Sequence, residues 1–393
     1  MTKFVSVFSG AGGLDLGLHR AGWECLYATD FDKAAVATLT ANRTSLGRDV
    51  VLECADIRRI DGDHILNAIG QRRGDIDLLA GGPPCQSWSS AGHQKGFDDP
   101  RGRLFQDYLR VASQLDVRWL VFENVRGLIT ARGRDGVPGS ALAAIRDALF
   151  RAGWQTRVDL LNAANYGVPQ RRVRVVLLGY RAGDEPPLPE PTHSQDAEAL
   201  KPWVSLGACL SVLRPIADDE VIRPSGKLAE QLELVPPGSG VKSPGKRETT
   251  RPGGHWGYKQ GAFVTDPTRP ARTVTASAQQ DWIRDARHGL RRLTPRECAA
   301  IQTFPADWMI VGKVADQYRQ IGNAVPPLLA EHLGSALLEH VRAVETSEGS
   351  PHAAVAPLPR HLEAAVRYTA REEARNGASR REAPTRRRVG VAA

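Results

Sequence analysis

Apolar positions in the first 180 residues fall into short runs separated by stretches of helical spacing. The runs at 3–8 (KFVSVF), 25–30 (CLYATD), 50–56 (VVLECAD), 76–82 (IDLLAGG), 119–125 (WLVFENV) and 173–180 (VRVVLLGY) are rich in large and β-branched side chains, and each reads as a strand. Apolar residues recur at helical intervals over 14–21 and through DKAAVATLTANR after Asp30. Strands alternating with helices predict an α/β fold, a doubly wound parallel sheet with helices on both faces. The rhythm stops after Tyr180, where DEPPLPEPTH is proline-rich and acidic and marks a boundary. Order returns at LTPRECAAIQTF, where Thr294 and Pro295 read as cap and first residue of a helix. Another helix is expected over 327–341, one more over 360–376, and disorder beyond it. The expected division is therefore 1–182, 183–290, 291–344 and a basic tail over 345–393 without fixed structure at its end.

Composition narrows the class. With 393 residues, 41% of them hydrophobic and 24% charged, the chain can bury a sizeable core. No apolar run approaches the ~20 residues that a membrane helix needs, so no spanning segment is expected. The N-terminal apolar run is too short for a signal peptide, which makes the cytoplasm the expected location. Lys and Arg number 52 against 44 Asp and Glu, a net charge of +8 that suits a polyanionic partner without requiring one. Five cysteines lie far apart without a CxxC pair, which argues against a disulfide framework or a structural zinc site and predicts no metal.

Six segments carry candidate chemistry. In FSGAGGLDLGL (8–18), glycines between a strand and a helix let the backbone approach a ligand and aim helix N–H groups at it. Asp30 ends the next strand and Phe31 follows: a carboxylate for ribose hydroxyls beside a ring that can stack on adenine. Asp56 ends the third strand and could accept the adenine amino group; either acid could instead cap a helix. In GGPPCQSWSSAG (81–92), Pro83 and Pro84 restrict the backbone and fix the direction of the Cys85 thiol. FENV (122–125) puts Glu123 at the end of an apolar strand, where burial would raise its pKa into the range of a general acid. QRRVR (170–174) sets Arg172 and Arg174 on one face of a strand, and IGNAVPP (321–327) precedes a helix.

In this order the six segments resemble the motif set of the cytosine-C5 DNA methyltransferases, over about 1–180 and 290–341. The prolyl-cysteinyl motif, ENV, QRRVR and GNAVPP are together specific; each glycine motif alone is not. The resemblance implies a Rossmann-like catalytic and cofactor-binding domain, a smaller variable target recognition domain over 183–290, and S-adenosylmethionine as methyl donor. It implies cofactor contacts at Phe8, Gly10, Gly12, Gly13, Leu14, Asp30, Phe31, Asp56, Ile57, Asn323 and Val325. Asp30–Phe31 stands where members often have Glu and an aromatic, a conservative departure. Cytosine C5 is too weak a nucleophile to accept a methyl group until a thiolate adds to C6, so Cys85 is expected to form a covalent adduct. Glu123 would supply the acid at N3, Arg174 would stabilise charge at O2, and Arg172 would help position the nucleotide and phosphate. The base must leave the stack, with Gln86 and Ser87 filling the gap or touching the DNA backbone. The expected partners are double-stranded DNA and a cognate restriction endonuclease, with the enzyme itself a monomer. An RNA cytosine methyltransferase would carry a Cys-Phe-Thr signature, absent here; a non-catalytic DNA-binding regulator would not need Cys85 and Glu123; a nicotinamide oxidoreductase leaves Cys85 unexplained.

Flanking bases must be read elsewhere. Residues 241–272 carry seven Lys/Arg against two acids, with glycines and Trp256, Tyr258 and Phe263. Arg247, Arg251, Lys259, Arg269 and Arg272 are the candidates. Replacing each with Ala and mapping methylated sites at several salt concentrations separates their tasks. A phosphate contact lowers the salt slope by ~0.9 without changing the site. A base contact costs ~1–3 kcal/mol of discrimination at one position. Five variants with unchanged site and slope would move the reader out of this segment.

Overall fold

The computed structural model describes residues 2–84, 104–181, 183, 185–196, 198–246, 260–344 and 353–382. Its centre is a seven-stranded sheet of β1 (Lys3–Val7), β2 (Glu24–Asp30), β3 (Val51–Cys54), β4 (Leu78–Gly81), β5 (Trp119–Val125), β6 (Gln155–Asn162) and β7 (Val173–Tyr180). The spatial order is β3-β2-β1-β4-β5-β7-β6, so the winding reverses between β1 and β4. Such a reversal opens a crevice at the carboxyl ends of the strands, the usual ligand position in doubly wound sheets.

The strands are apolar on both faces, and their alternation builds two cores. Phe4, Leu78, Ala80, Trp119, Val121, Val176 and Leu178 face one cluster; Val5, Val7, Leu79, Leu120, Phe122, Val175 and Leu177 face the other. The first is covered by α1 (Gly13–Arg20), α2 (Lys33–Ala41) and α10 (Pro327–Val344), the last returning to the sheet from the far end of the chain. The second is covered by α3 (Gly62–Ile69), α4 (Leu104–Leu115) and α5 (Ser140–Arg151).

Two expectations about the sheet are corrected. It is not wholly parallel: β7 pairs antiparallel with both β5 and β6. Residues 163–172 joining β6 to β7 include only a short 3-10 turn over 163–166 and cannot make the crossover that a parallel neighbour requires. β6 itself was not expected, because Arg157 and Asp159 interrupt its apolar pattern; it is the edge strand, where such charges are tolerated.

After β7 ends at the amino-terminal edge of the sheet, the chain climbs back as a strap. Leu188 joins the first core, Pro189 O accepts from Tyr166 Oη at 2.9 Å, and Thr192 N donates to Asn165 O at 2.9 Å. Beyond the strap lie a pair of two-residue strands, β8 (His193–Ser194) and β9 (Lys201–Pro202), then α6 (Leu206–Ser211), α7 (Gly226–Glu233) and a small sheet of β10 (Ser239–Gly240), β11 (Phe263–Val264), β12 (Trp282–Asp285) and β13 (Gly289–Arg292). β13 crosses the boundary expected at 290/291. Leu206, Ala271, Val274 and Ile283 share a core with Cys298 and Ile301 of α8 (Pro295–Ile301) and Tyr318 and Ile321 of α9 (Val314–Asn323). The cap at Thr294 forms as expected, with Glu297 completing a capping box.

The tail is more ordered than expected. α11 (Arg360–Glu382) extends past the helix read from the sequence, and Leu362 and Ala365 are buried in the second core. Ala354 O and Ala356 O accept hydrogen bonds from Gln155 and Arg146, and His361 Nε2 lies 2.7 Å from Asp159 Oδ1.

The tightest helix contact joins α1 to α10. A Cβ on Gly17 would sit 2.3 Å from Ala330 Cβ and 2.4 Å from Pro327 O, so only glycine fits. Gly17→Ala forces the helices apart and is expected to cost ~1–3 kcal/mol, read as a lower urea midpoint. An unchanged midpoint would show that this contact opens without penalty.

Candidate active site

The β1–α1 turn is built from left-handed residues: Phe8 has φ 58°, Gly10 55° and Gly12 80°. Phe8 adopts it at a steric cost that a non-glycine residue bears only where its surroundings enforce it. The turn is pinned to the end of β2, with Gly10 N donating to Asp30 Oδ2 at 2.9 Å and Ser9 N to Thr29 O at 3.1 Å. Its glycines serve different ends. Around Gly10, apart from its chain neighbours, no atom of the described residues lies within 4 Å of where a Cβ would stand. Gly12 and Gly13 instead make room for the protein: their Cβ atoms would stand 2.7 Å from Leu39 Cδ2 and 2.1 Å from Val325 O. Leu14 is buried in the first core.

Asp30 Oδ1 accepts from Asp32 N at 2.9 Å, and burial raises the carboxyl pKa. A carboxylate with one bond per oxygen keeps further acceptor positions. Phe31 beside it is 69% exposed. Asp56 stands differently from expected: β3 ends at Cys54, and Asp56 caps the 3-10 turn over 57–59, its Oδ1 accepting from Arg58 N at 3.0 Å. The Arg58 guanidinium also chelates it and lowers its pKa. Ile57 is buried in the second core. Asn323, at the end of α9, is exposed, whereas Val325 is buried with its carbonyl turned to Gly13. The ends of β1 and β2, the Asp56 turn and the α9–α10 connection thus converge on one crevice.

Glu123 lies on the β4 side of the same edge. It is 12% exposed, with Oε1 3.2 Å from Arg174 Nε, and a Cβ on Gly82 would come within 3.1 Å of Oε2. Burial raises its pKa, opposed by Arg174 and then Arg172. Its neighbour Asn124 is a residue that the sequence reading missed: Nδ2 donates to Pro83 O at 3.1 Å and fixes the chain just before the candidate nucleophile. A polar residue beside Glu123 in an apolar strand was the available signal. Cys85, Gln86 and Ser87 lie outside the described residues, as do Arg247, Arg251 and Lys259.

Arg172 requires a correction. It is 1% exposed, and its guanidinium donates to the carbonyls of Val274 at 3.0 Å and of Gly322 and Ala324 at 2.9 Å. A fork turned onto three interior carbonyls holds protein segments together; it does not reach outward to a phosphate. Buried glutamines extend this hub, another feature that the sequence reading left without a role. Gln170 Nε2 donates to Gln302 Oε1 at 2.6 Å, and Gln170 Oε1 accepts from Val274 N at 3.0 Å. Of the candidate readers, Arg269 and Arg272 line a small cavity with Arg171, Phe263 and Asp266. Arg272 lies 4.3 Å above the Phe263 ring and 3.5 Å from Asp281 Oδ1, so its direction is set by a stack and an ion pair.

The chain is similar to known proteins over most of its length. The family model for C-5 cytosine-specific DNA methylase matches residues 2–339. The type II methyltransferase M1.HphI of Haemophilus parahaemolyticus is 34% identical over 345 residues, 86% of each chain. M.Sau96I of Staphylococcus aureus is 36% identical over 340 residues, covering 85% of this chain and 75% of that one. In fold, the chain is similar to Spodoptera frugiperda DNMT2 (TM-score 0.61, 17% identity, 86% of this chain and 100% of that one). It is equally similar to the Entamoeba histolytica methyltransferase EhMeth (TM-score 0.61, 14% identity, 87% and 99%).

Beneath the β1–α1 turn, Asp15 is fully buried, and burial pushes its carboxyl up to about 7 against the pull of the Ser6 and Ser9 hydroxyls. A carboxyl whose pKa is higher folded than unfolded binds more protons in the native state. Its contribution is therefore favourable at low pH and is lost as pH rises from about 4 to 7. Asp15→Asn is expected to remove a slope of up to ~1.4 kcal/mol per pH unit from the unfolding free energy in that window. Identical pH profiles for variant and wild type would refute the shift.

Proposed function

The chain belongs to the C-5 cytosine-specific DNA methylase family and is a DNA cytosine methyltransferase, and from that premise we propose how its residues carry out the reaction. The substrate in this reading is a cytosine rotated out of duplex DNA, and the methyl donor is S-adenosylmethionine. The named relatives are type II methyltransferases, and we extend to this chain their place beside a cognate restriction endonuclease.

The observation that carries the reading is the buried Glu123–Arg174 pair at the carboxyl edge of β5, joined through Asn124 to the Pro83–Pro84 segment that leads into Cys85. The Cys85 thiolate adds to cytosine C6; the π pair of the C5–C6 bond shifts into C4–C5, and the π pair of N3–C4 moves onto N3, in conjugation with O2. Glu123, whose raised pKa favours the protonated form, gives its proton to N3 and holds the exocyclic amine. Arg174 meets the charge that develops at O2. C5, now enamine-like, takes the methyl group. N3 then returns its proton to Glu123, and loss of the C5 proton to a base restores the C5–C6 double bond and expels the Cys85 thiolate. Arg172 acts as a positioning residue, holding the strand that presents Arg174.

The donor set fits the cofactor: open space at Gly10, acceptors on Asp30 at the end of β2 and an exposed ring at Phe31 suit a nucleoside. Asp30 would hold the ribose hydroxyls, Phe31 would stack on the adenine, and Asn323 would close the crevice from the α9 side. S-adenosylmethionine, when bound, supplies an electrophilic methyl group. Gln86 and Ser87 fill the place of the departed base, and Arg269 and Arg272 face the flanking DNA.

Cys85→Ser tests the central step. Methyl transfer is expected to fall by roughly 10³-fold or more, with cofactor affinity unchanged, because a hydroxyl is scarcely ionised near neutral pH. Duplex containing 5-fluorocytosine should trap the wild type as a covalent complex visible on a denaturing gel. Robust turnover by the serine variant, or no trapped complex, would overturn the assignment.

A further inference from the structure

α11 lies beyond residue 339, where the family match ends. Its contacts give it a direction. The preceding segment bonds to Gln155 at the start of β6, His361 meets Asp159 in the middle of β6, and Val366 packs 2.9 Å from the Cβ position of Gly139, the N-cap of α5. β6 runs parallel to β5, since both are antiparallel to β7. The helix therefore climbs from the amino-terminal edge of the sheet toward the carboxyl edge, where Glu123 stands.

Past Val366 the helix continues to Glu382, about 24 Å at 1.5 Å per residue. Among 367–372, 374 and 375 no side chain is buried; Arg367, Arg371 and Arg375 are exposed at intervals of four, a single stripe along the helix. Residues 367–393 contain eight arginines against three acids. A helix anchored at its start, with a basic extension at the substrate edge, matches the charge of a DNA backbone.

We propose that α11 beyond Val366 is an arm that lies along the phosphates of the duplex flanking the target cytosine, with 353–366 as its shoulder. The proposal rests on the DNA methyltransferase reading above. The arm adds affinity without sequence preference, because guanidinium–phosphate contacts carry no base information. Its reach corresponds to about seven base pairs at 3.4 Å each.

The test compares full-length wild type with a triple variant, Arg367→Ala, Arg371→Ala and Arg375→Ala, all at exposed positions. Affinity for a duplex carrying the methylated site is measured across salt concentrations, and the site is mapped by bisulfite sequencing. The triple variant is expected to bind more weakly, with a log–log salt slope shallower by up to ~2.7, while methylating the same site. Lysine at all three positions should restore the slope. If the wild type methylates DNA and the triple variant keeps its affinity and slope, the arm is refuted alone. A changed methylation site would also refute it, because the arm would then be reading bases. A wild type that methylates no DNA would overturn the underlying reading instead.

Discussion

A guanidinium buried away from water must have its donors satisfied, and that demand on Arg172 organises the catalytic edge. The carbonyls it meets belong to the segment entering β12 and to the α9–α10 connection. Holding Ala324 fixes Val325, whose carbonyl leaves no space for a side chain at Gly13. Gly13 opens α1, directly after the turn that reaches Asp30 through Gly10. One buried cation thus links the strand presenting Arg174, the segment entering β12 and the start of α1. Removing it would take a donor from three interior carbonyls, though Ala324 O also accepts from Gln302 Nε2 at 3.2 Å; a buried carbonyl left unsatisfied costs roughly 1–3 kcal/mol.

Much of this was legible in the sequence. Apolar runs identified β1, β2, β4, β5 and β7, because strands buried on both faces have no polar alternation to blur them. Glu123 stood out for the converse reason, a carboxylate inside such a run. What stayed hidden depended on partners distant in sequence. β6 carries charges that only an edge position permits, and the direction of β7 follows from a loop length whose meaning requires knowing its neighbours. Arg172 and Arg174 look alike as letters; one faces interior carbonyls and the other a carboxylate. Asp56 was the opposite case, where the cap that the sequence also allowed is formed by a local interaction with Arg58, two residues away.

The glycines of the first motif divide in the same manner. The resemblance implies that Gly10, Gly12 and Gly13 all meet the cofactor; Gly12 and Gly13 also make way for Leu39 and Val325, as Gly17 does for Ala330, while among the described residues nothing fills the space at Gly10. A phosphate-binding turn and a tightly packed helix start can have the same spelling. The difference lies in what occupies the missing Cβ's place, a property of the fold and not of the segment.

The strap over 185–193 separates where the region proposed to read DNA is covalently attached from where it packs. β7 delivers the chain to the far edge of the sheet, and Leu188, Pro189 and Thr192 fasten it on the way back. Insertions or deletions downstream of the strap change length at a point already anchored, so they need not pull on the strand that carries Arg174. Such an arrangement is permissive for evolution: target preference can drift or be exchanged as a cassette while the chemistry of the sheet edge is inherited intact.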